Sequence, residues 1–218
     1  MGRENRREAV AALHRAHILR AAETLFSEKG FAPTTIDDIS KASGYSRRTI
    51  YAYFDTKEDI LRQIVEKGLT ELKRDLEIAV CSGGDFMAQY AAICAAIRKY
   101  RRNYPYSAER VDRAGTAAET ERAETVRRIF ALGTEINALL AGWLDAGKKS
   151  GVVRRDINSL LSVYILWSGI ASFLSLVETK GAFIAAQLSL TEEELLDCGF
   201  RQLLRSVLTE REAAHDAL

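Results

Sequence analysis

Only two prolines, Pro33 and Pro105, interrupt this chain of 218 residues. Proline removes a backbone donor and clashes with the preceding turn, so long proline-free stretches leave helices unbroken. Alanine, leucine, glutamate and arginine fill those stretches, and strand-like alternation is scarce. The pattern predicts an all-α fold. The length suits one large domain or two small ones. With 47% hydrophobic and 28% charged residues, the chain reads as globular rather than disordered.

Punctuation divides the chain into helices. The first is expected from about Arg6 to Lys29, with Ile18, Ala22, Leu25 and Phe26 on one face and Gly30 as its stop. Thr35 with Asp38 forms a carboxylate capping box for a short second helix, which Gly44 ends. Ser46 caps a third, Arg47 to about Phe54. Thr56 and Asp59 open a fourth helix that runs to about Val80, and Ser82-Gly-Gly-Asp85 closes it. Further helices are expected near 85–103, 119–148, 156–179 and 191–210, with an irregular piece near 104–118. Thr191 and Glu194 box the last of these.

Two short helices joined by a glycine turn behind a longer one describe a helix-turn-helix. Residues 1–57 carry ten Lys/Arg against seven Asp/Glu, whereas the remainder carries twenty-one against twenty-three. The positive excess therefore coincides with that motif. On a wheel at about 100° per residue, Ile50 and Phe54 share the inner face of the third helix. Arg48, Thr49 and Ala52 lie opposite, flanked by Tyr51 and Tyr53. A forked donor and small methyl-bearing residues suit the major groove, where Arg can pair with guanine and a methyl can meet thymine. The tyrosines and Lys57 are placed to bind phosphates. An ordinary solvated surface helix would carry the same charges, but the surrounding cap, glycine and cap favour DNA.

Residues 10 to 60 resemble the DNA-binding domain of the TetR family of bacterial transcriptional regulators. The residues that carry the resemblance are Ala22, Leu25-Phe26, Gly30-Phe31, Thr34-Thr35, Asp38-Ile39, Gly44, Ser46, Tyr51, Phe54, Lys57, Glu58 and Leu61. It implies an all-helical homodimer with a DNA-binding domain at 1–55 and a ligand-binding and dimerisation domain at 56–218. Thr35, Arg47, Arg48, Thr49, Tyr51, Tyr53 and Lys57 fall where members commonly contact DNA. Ala52-Tyr53 departs from the family, many of whose members have an aromatic followed by histidine. A ligand pocket and a dimer seam formed by the last two long helices are implied for the remainder. Pocket candidates are Met87, Tyr90, Cys94, Tyr104, Trp143, Tyr164, Trp167 and Phe173. An apolar or aromatic inducer would suit them. The seam would use Leu196, Phe200, Leu203 and Val207.

Other classes have less support. Leu160 to Val177 carries no charge over eighteen residues, the lower limit for a membrane span. Its four serines and charged neighbours favour a buried core or interface helix, and no membrane partner is expected. Cys81, Cys94 and Cys198 are widely spaced and form no C-x-x-C pair, which fits a reducing compartment. The charged N-terminus lacks the apolar stretch of a secretory signal, so a cytoplasmic location is expected. His14 and His17 have no evident third metal ligand, and no catalytic motif or phosphate-cradling loop is present. No enzyme activity, cofactor or metal is therefore expected. The competing reading is a ligand-independent DNA-binding protein with an organisational role, whose C-terminal domain binds a protein.

Overall fold

The computed structural model describes residues 3–105 and 124–215. Most of the irregular piece expected near 104–118, and the start of the helix expected at 119, lie outside the described residues. Nine helices follow one another among them: α1 (Arg3–Lys29), α2 (Ile36–Ser43), α3 (Arg47–Tyr51), α4 (Lys57–Cys81), α5 (Phe86–Asn103), α6 (Glu124–Ser150), α7 (Ser159–Leu188), α8 (Glu192–Arg205) and α9 (Glu210–His215). The all-α expectation holds. Among the described residues the only ladder-like feature is an isolated antiparallel bridge between Val153 and Leu208.

Two compact units divide the chain. One comprises 1–72 and 99–132, the other 73–98 and 133–218. All three divisions fall inside helices: 72/73 in α4, 98/99 in α5 and 132/133 in α6.

The first unit is organised by α1. Ile18, Ala22 and Phe26 recur every fourth residue and are almost fully buried. That spacing puts them on one helix face. Ile39, Ile50, Phe54, Ile60 and Ile64 complete the core, each no more than 2% exposed. The α1–α2 loop is closed by polar groups. Gly30, at φ +85°, donates its N–H to the Phe26 carbonyl at 3.1 Å. Buried Thr34 donates its hydroxyl to the Gly30 carbonyl at 2.7 Å.

Caps define the next two helices. Thr35 and Asp38 form the full reciprocal box, and the Ser46 hydroxyl accepts from the Thr49 N–H. Gly44 ends α2 at φ +75° and donates to the Ser40 carbonyl at 3.0 Å. A side chain there would be strained in the left-handed region. The third helix is shorter than expected and stops at Tyr51. Ala52 caps it, and the Phe54 N–H still reaches the Ile50 carbonyl at 3.0 Å. Phe54 thus keeps the inward position that a longer helix would give it.

In the second unit α8 lies along α7. Leu195, Leu196, Phe200, Leu204, Val207 and Leu208 are buried against a core that includes Val163, Leu166, Ile170, Leu174 and Val177. The Tyr90 hydroxyl donates to the Phe200 carbonyl at 2.8 Å, tying α5 to α8. Phe86 stacks on Trp143 at 4.1 Å between centroids, and the Trp143 indole N–H donates to Gln89 Oε1 at 2.9 Å.

Leu196, Phe200 and Val207, expected in the dimer seam, are 8%, 5% and 3% exposed within a single chain. Leu203 is half-buried, and its side chain lies over Gly169. The apolar stripe of α8 therefore fills the core of its own chain. The uncovered apolar surface is on α7, where Leu161, Ile165, Leu176 and Phe183 are 58%, 59%, 41% and 71% exposed.

Gly199 on α8 lies against Phe173 on α7: a Cβ added there would clash with the Phe173 ring. Gly199→Ala should lower stability by about 1–3 kcal/mol through overpacking, read as a lower urea midpoint with an unchanged slope.

Candidate nucleic-acid interface

The outward side of α3 is built from the local sequence. Ile50 and Phe54 bury the inner face, which turns Arg48 outward; Arg48, Tyr51 and Ala52 are exposed. Thr49 is half-buried, with its hydroxyl 2.8 Å from the Ser46 hydroxyl. Its methyl group, rather than its hydroxyl, is the part suited to a thymine methyl. Arg47 forms an ion pair with Asp37 on α2. Both side chains are well exposed, so the pair adds little stability. A guanidinium has five donors, which leaves Arg47 able to reach a phosphate as well.

Two residues expected to contact DNA have other work. The Thr35 hydroxyl donates to Asp38 Oδ2 at 2.7 Å, and the Thr35 backbone N–H donates to the same oxygen at 2.8 Å. Phosphate oxygens only accept, and both Thr35 donors are already engaged. Thr35 is therefore a helix cap in this structure. Lys57 donates from Nζ to the carbonyls of Phe31, Ala32 and Thr34 at 2.8, 3.3 and 2.7 Å. Its ammonium also lies 4.3 Å from the Phe31 ring centroid. An ammonium has three protons, and three carbonyls take them. Lys57 fastens the α1–α2 loop to the start of α4.

Asp38 is the electrostatic centre of the α2 cap. The Lys29 ammonium 2.7 Å away, then the Thr35 hydroxyl and N–H, hold its carboxyl well below the usual carboxylate range. A depressed carboxyl contributes stability that is present above the unfolded carboxylate range and lost as pH falls through the folded value. The cap should therefore weaken only in strong acid.

Tyr53 is half-buried and its hydroxyl lies 3.0 Å from His14 Nδ1 on α1. Tyr45, just before α3, places its hydroxyl 3.4 Å from His17 Nδ1. These histidines read in sequence as surface residues of α1. Their partners are tens of residues away, so no local pattern could reveal the pairing. Arg6, Arg7, Val10 and Ala11 line an open cleft of about 370 Å³ together with Tyr53. The sequence reading gave none of these α1 residues a role.

The expected ligand-pocket residues separate in the structure. Tyr90, Trp143 and Trp167 line an apolar cavity of about 30 Å³ with Ile93, Leu140 and Leu166 among others. Cys94 is buried beside Tyr90; burial pushes its thiol up to about 12 and raises the Tyr90 phenol as well. Met87 is half-buried on α5 but is not part of the cavity lining. Tyr104 belongs to the other unit, where it donates to Glu71 Oε2 at 2.9 Å. Tyr164 is 53% exposed on α7, and Phe173 packs edge-on to Phe200. Among the described residues, no group of three or more His, Cys, Asp or Glu side chains converges as a metal site would require.

A glycine-turned pair of capped helices with an exposed Arg48 and Tyr51, held behind α1, defines a helix-turn-helix DNA-binding protein. Comparison with known proteins agrees. Residues 18–64 match the family model described as bacterial regulatory proteins, tetR family. The helix-turn-helix transcriptional repressor KstR2 of Rhodococcus jostii is 31% identical over 161 residues, covering 70% of this chain and 74% of that one. The regulator RutR of Escherichia coli is 32% identical over 171 residues, covering 75% and 74%. Among solved structures, the TetR family transcriptional regulator PfmR of Thermus thermophilus superposes with a TM-score of 0.65 at 24% identity, covering 86% of this chain and 97% of that one. The chain belongs to the tetR family of helix-turn-helix transcriptional regulators.

Lys57→Met should lower stability by about 1–3 kcal/mol, because it leaves three carbonyls without their charged donor. The salt dependence of DNA binding should keep its slope, because the Lys57 ammonium is engaged by loop carbonyls. Thermal unfolding and a salt titration of DNA affinity check the two halves separately.

Proposed function

We propose that this regulator is a repressor that binds a palindromic operator as a homodimer and releases it when a small molecule enters the second unit. The observation that carries the DNA half is the exposed α3 face, with Arg48 outward and Thr49 and Ala52 beside it. Arg48 is assigned to a guanine, and Arg47, Tyr51 and Tyr53 to phosphates. A cytoplasmic location follows from that work.

The dimer reading rests on α7. The helix is 30 residues long, and its mean hydropathy of 2.0 over an 18-residue window would allow it to cross a membrane by length and composition. Only 33% of that window is buried within the chain. Leu161, Ile165, Leu176 and Phe183 recur at helical spacing on one exposed side, with Ser168, Ser172 and Thr179 between them. A second copy of the same face would cover them all, as an isologous interface does. The membership of this chain in a family of DNA-binding regulators favours that covering over lipid.

The ligand half rests on the cavity beside Trp143 and Trp167. At about 30 Å³ it has room for one or two waters. An inducer must therefore favour a conformer in which the cavity is larger, and such differential affinity is what shifts a population. The lining suits an apolar or aromatic molecule; a solved neighbour, SmeT, is known in complex with triclosan. The helix α4 carries residues of both units without a break, so a displacement at one end has a continuous path to the other. The small cavity is also the observation that favours the competing ligand-independent reading, in which a protein occupies the second unit.

Three measurements test the proposal. Arg48→Ala should weaken operator binding by about 1–3 kcal/mol and relax preference at one base of each half-site; equal weakening on all sequences would make Arg48 a phosphate contact instead. Ile165→Asp with Leu161→Asp should convert the dimer to monomers in sedimentation, because two charges would enter the apolar seam. An inducer should change tryptophan fluorescence saturably and lower operator affinity about 5–150-fold, with operator lowering inducer affinity by the same factor. Compounds that bind without this reciprocity are not inducers. If none couples, the ligand-independent reading stands.

A further inference from the structure

His14 lies on α1, outside the helix-turn-helix pair, yet its Nδ1 is 3.0 Å from the Tyr53 hydroxyl. The same tyrosine ring lies beneath the Arg15 guanidinium, 5.6 Å from centroid to Cζ. It also forms one wall of the cleft lined by Arg6, Arg7, Val10 and Ala11. A half-buried phenol with three arginines around it suits an anion, and the anion at hand in the DNA reading is a backbone phosphate.

The hydrogen bond decides what the phenol can do there. A tyrosine hydroxyl has one proton, and phosphate oxygens accept but never donate. When His14 is neutral with a bare Nδ1, that nitrogen accepts the Tyr53 hydroxyl's hydrogen bond, and the hydroxyl has no donor left for phosphate. When Nδ1 carries a proton, it donates to the Tyr53 oxygen; neutral His14 does so only as its Nδ1–H tautomer, whereas the imidazolium does so always, so proton uptake favours this arrangement. The hydroxyl proton is then free for the phosphate, and the imidazolium adds its charge to the cleft.

We propose that His14 is a positioning residue for operator binding: through Nδ1 it sets the direction of the Tyr53 hydroxyl, so that binding a backbone phosphate in the Arg6–Arg7–Tyr53 cleft is coupled to proton uptake by His14. The proposal rests on the DNA-binding reading above and extends it to α1. The groups that share this side of the unit are compatible with it. Tyr45 lies 4.8 Å from the His14 ring, between centroids, and His17 is in turn bonded to Tyr45. From α2, Asp37 is engaged by Arg47 and Asp38 by Lys29. From α4, Glu66 is engaged by Arg128 at 3.3 Å. No carboxylate recorded at His14 competes for the proton among the described residues.

The test uses the full-length protein and a labelled duplex that the protein selects from a random pool. Affinity is measured by fluorescence anisotropy at constant ionic strength between about pH 8 and about pH 6, the range in which histidine charge changes. Wild type should bind about five-fold or more tightly at the lower pH, a coupling of ordinary size. His14→Gln, whose amide can donate to Tyr53 at every pH, should flatten the profile and bind at neutral pH as well as or better than wild type. His17→Gln should keep the wild-type profile. Tyr53→Phe should lose most of the pH response, because the charge of His14 remains but the hydroxyl is gone. A wild-type profile that is flat, or a Tyr53→Phe profile as steep as wild type, would overturn the proposal. In either case, specific binding that Arg48→Ala weakens would leave the DNA reading standing. Failure of the wild type to select any duplex would overturn both.

Discussion

The Lys57 ammonium is the point on which the helix-turn-helix depends. It sits at the first residue of α4 and donates to three loop carbonyls, those of Phe31, Ala32 and Thr34. Those carbonyls belong to the connection between α1 and α2, where no helix can satisfy them. A single cation thus supplies partners for three acceptors and joins the beginning and the end of the DNA-binding motif. Phe31 closes the arrangement, with its ring 5.1 Å from Phe26 on one side and beside the ammonium on the other. The Phe31 carbonyl also accepts from the Thr34 N–H at 3.3 Å, so the loop and the ammonium close on the same group.

Short helices need termini more than length. An eight-residue α2 and a five-residue α3 are well below the length at which a helix is stable alone. Each has its first turn satisfied by a side-chain oxygen, from Thr35 and Ser46. Each also has one deeply buried isoleucine, Ile39 or Ile50. Capping and one anchor per helix hold them against α1, and this leaves the rest of α3 free to face outward. The same economy engages both Thr35 donors where the helix begins.

In the second unit, polarity is distributed by neighbours rather than by helix. The α8 stripe is buried in its own chain, while the more apolar α7 keeps a full side exposed. A helix apolar all round has more apolar surface than one neighbour can cover. The uncovered side carries leucine, isoleucine and phenylalanine at helical spacing with serines between them. The cavity beside Trp143 and Trp167, by contrast, is small, at about 30 Å³.

Much was legible from sequence because it is local. The capping boxes at Thr35–Asp38 and Thr191–Glu194, the left-handed Gly44, and the inward Ile50 and Phe54 are each set within a few residues by backbone geometry and helical period. The all-α class, the helix-turn-helix and the outward Arg48 follow from those alone. What sequence could not decide depends on groups brought together from afar. Lys57 looked available for phosphate until the fold set three carbonyls before it. His14 looked solvated until Tyr53 arrived from 39 residues away. The α8 stripe has the same period whether it faces its own chain or another, and periodicity cannot name the partner. A side chain's type and spacing state which bonds it can make; only the tertiary structure determines which partner reaches it first.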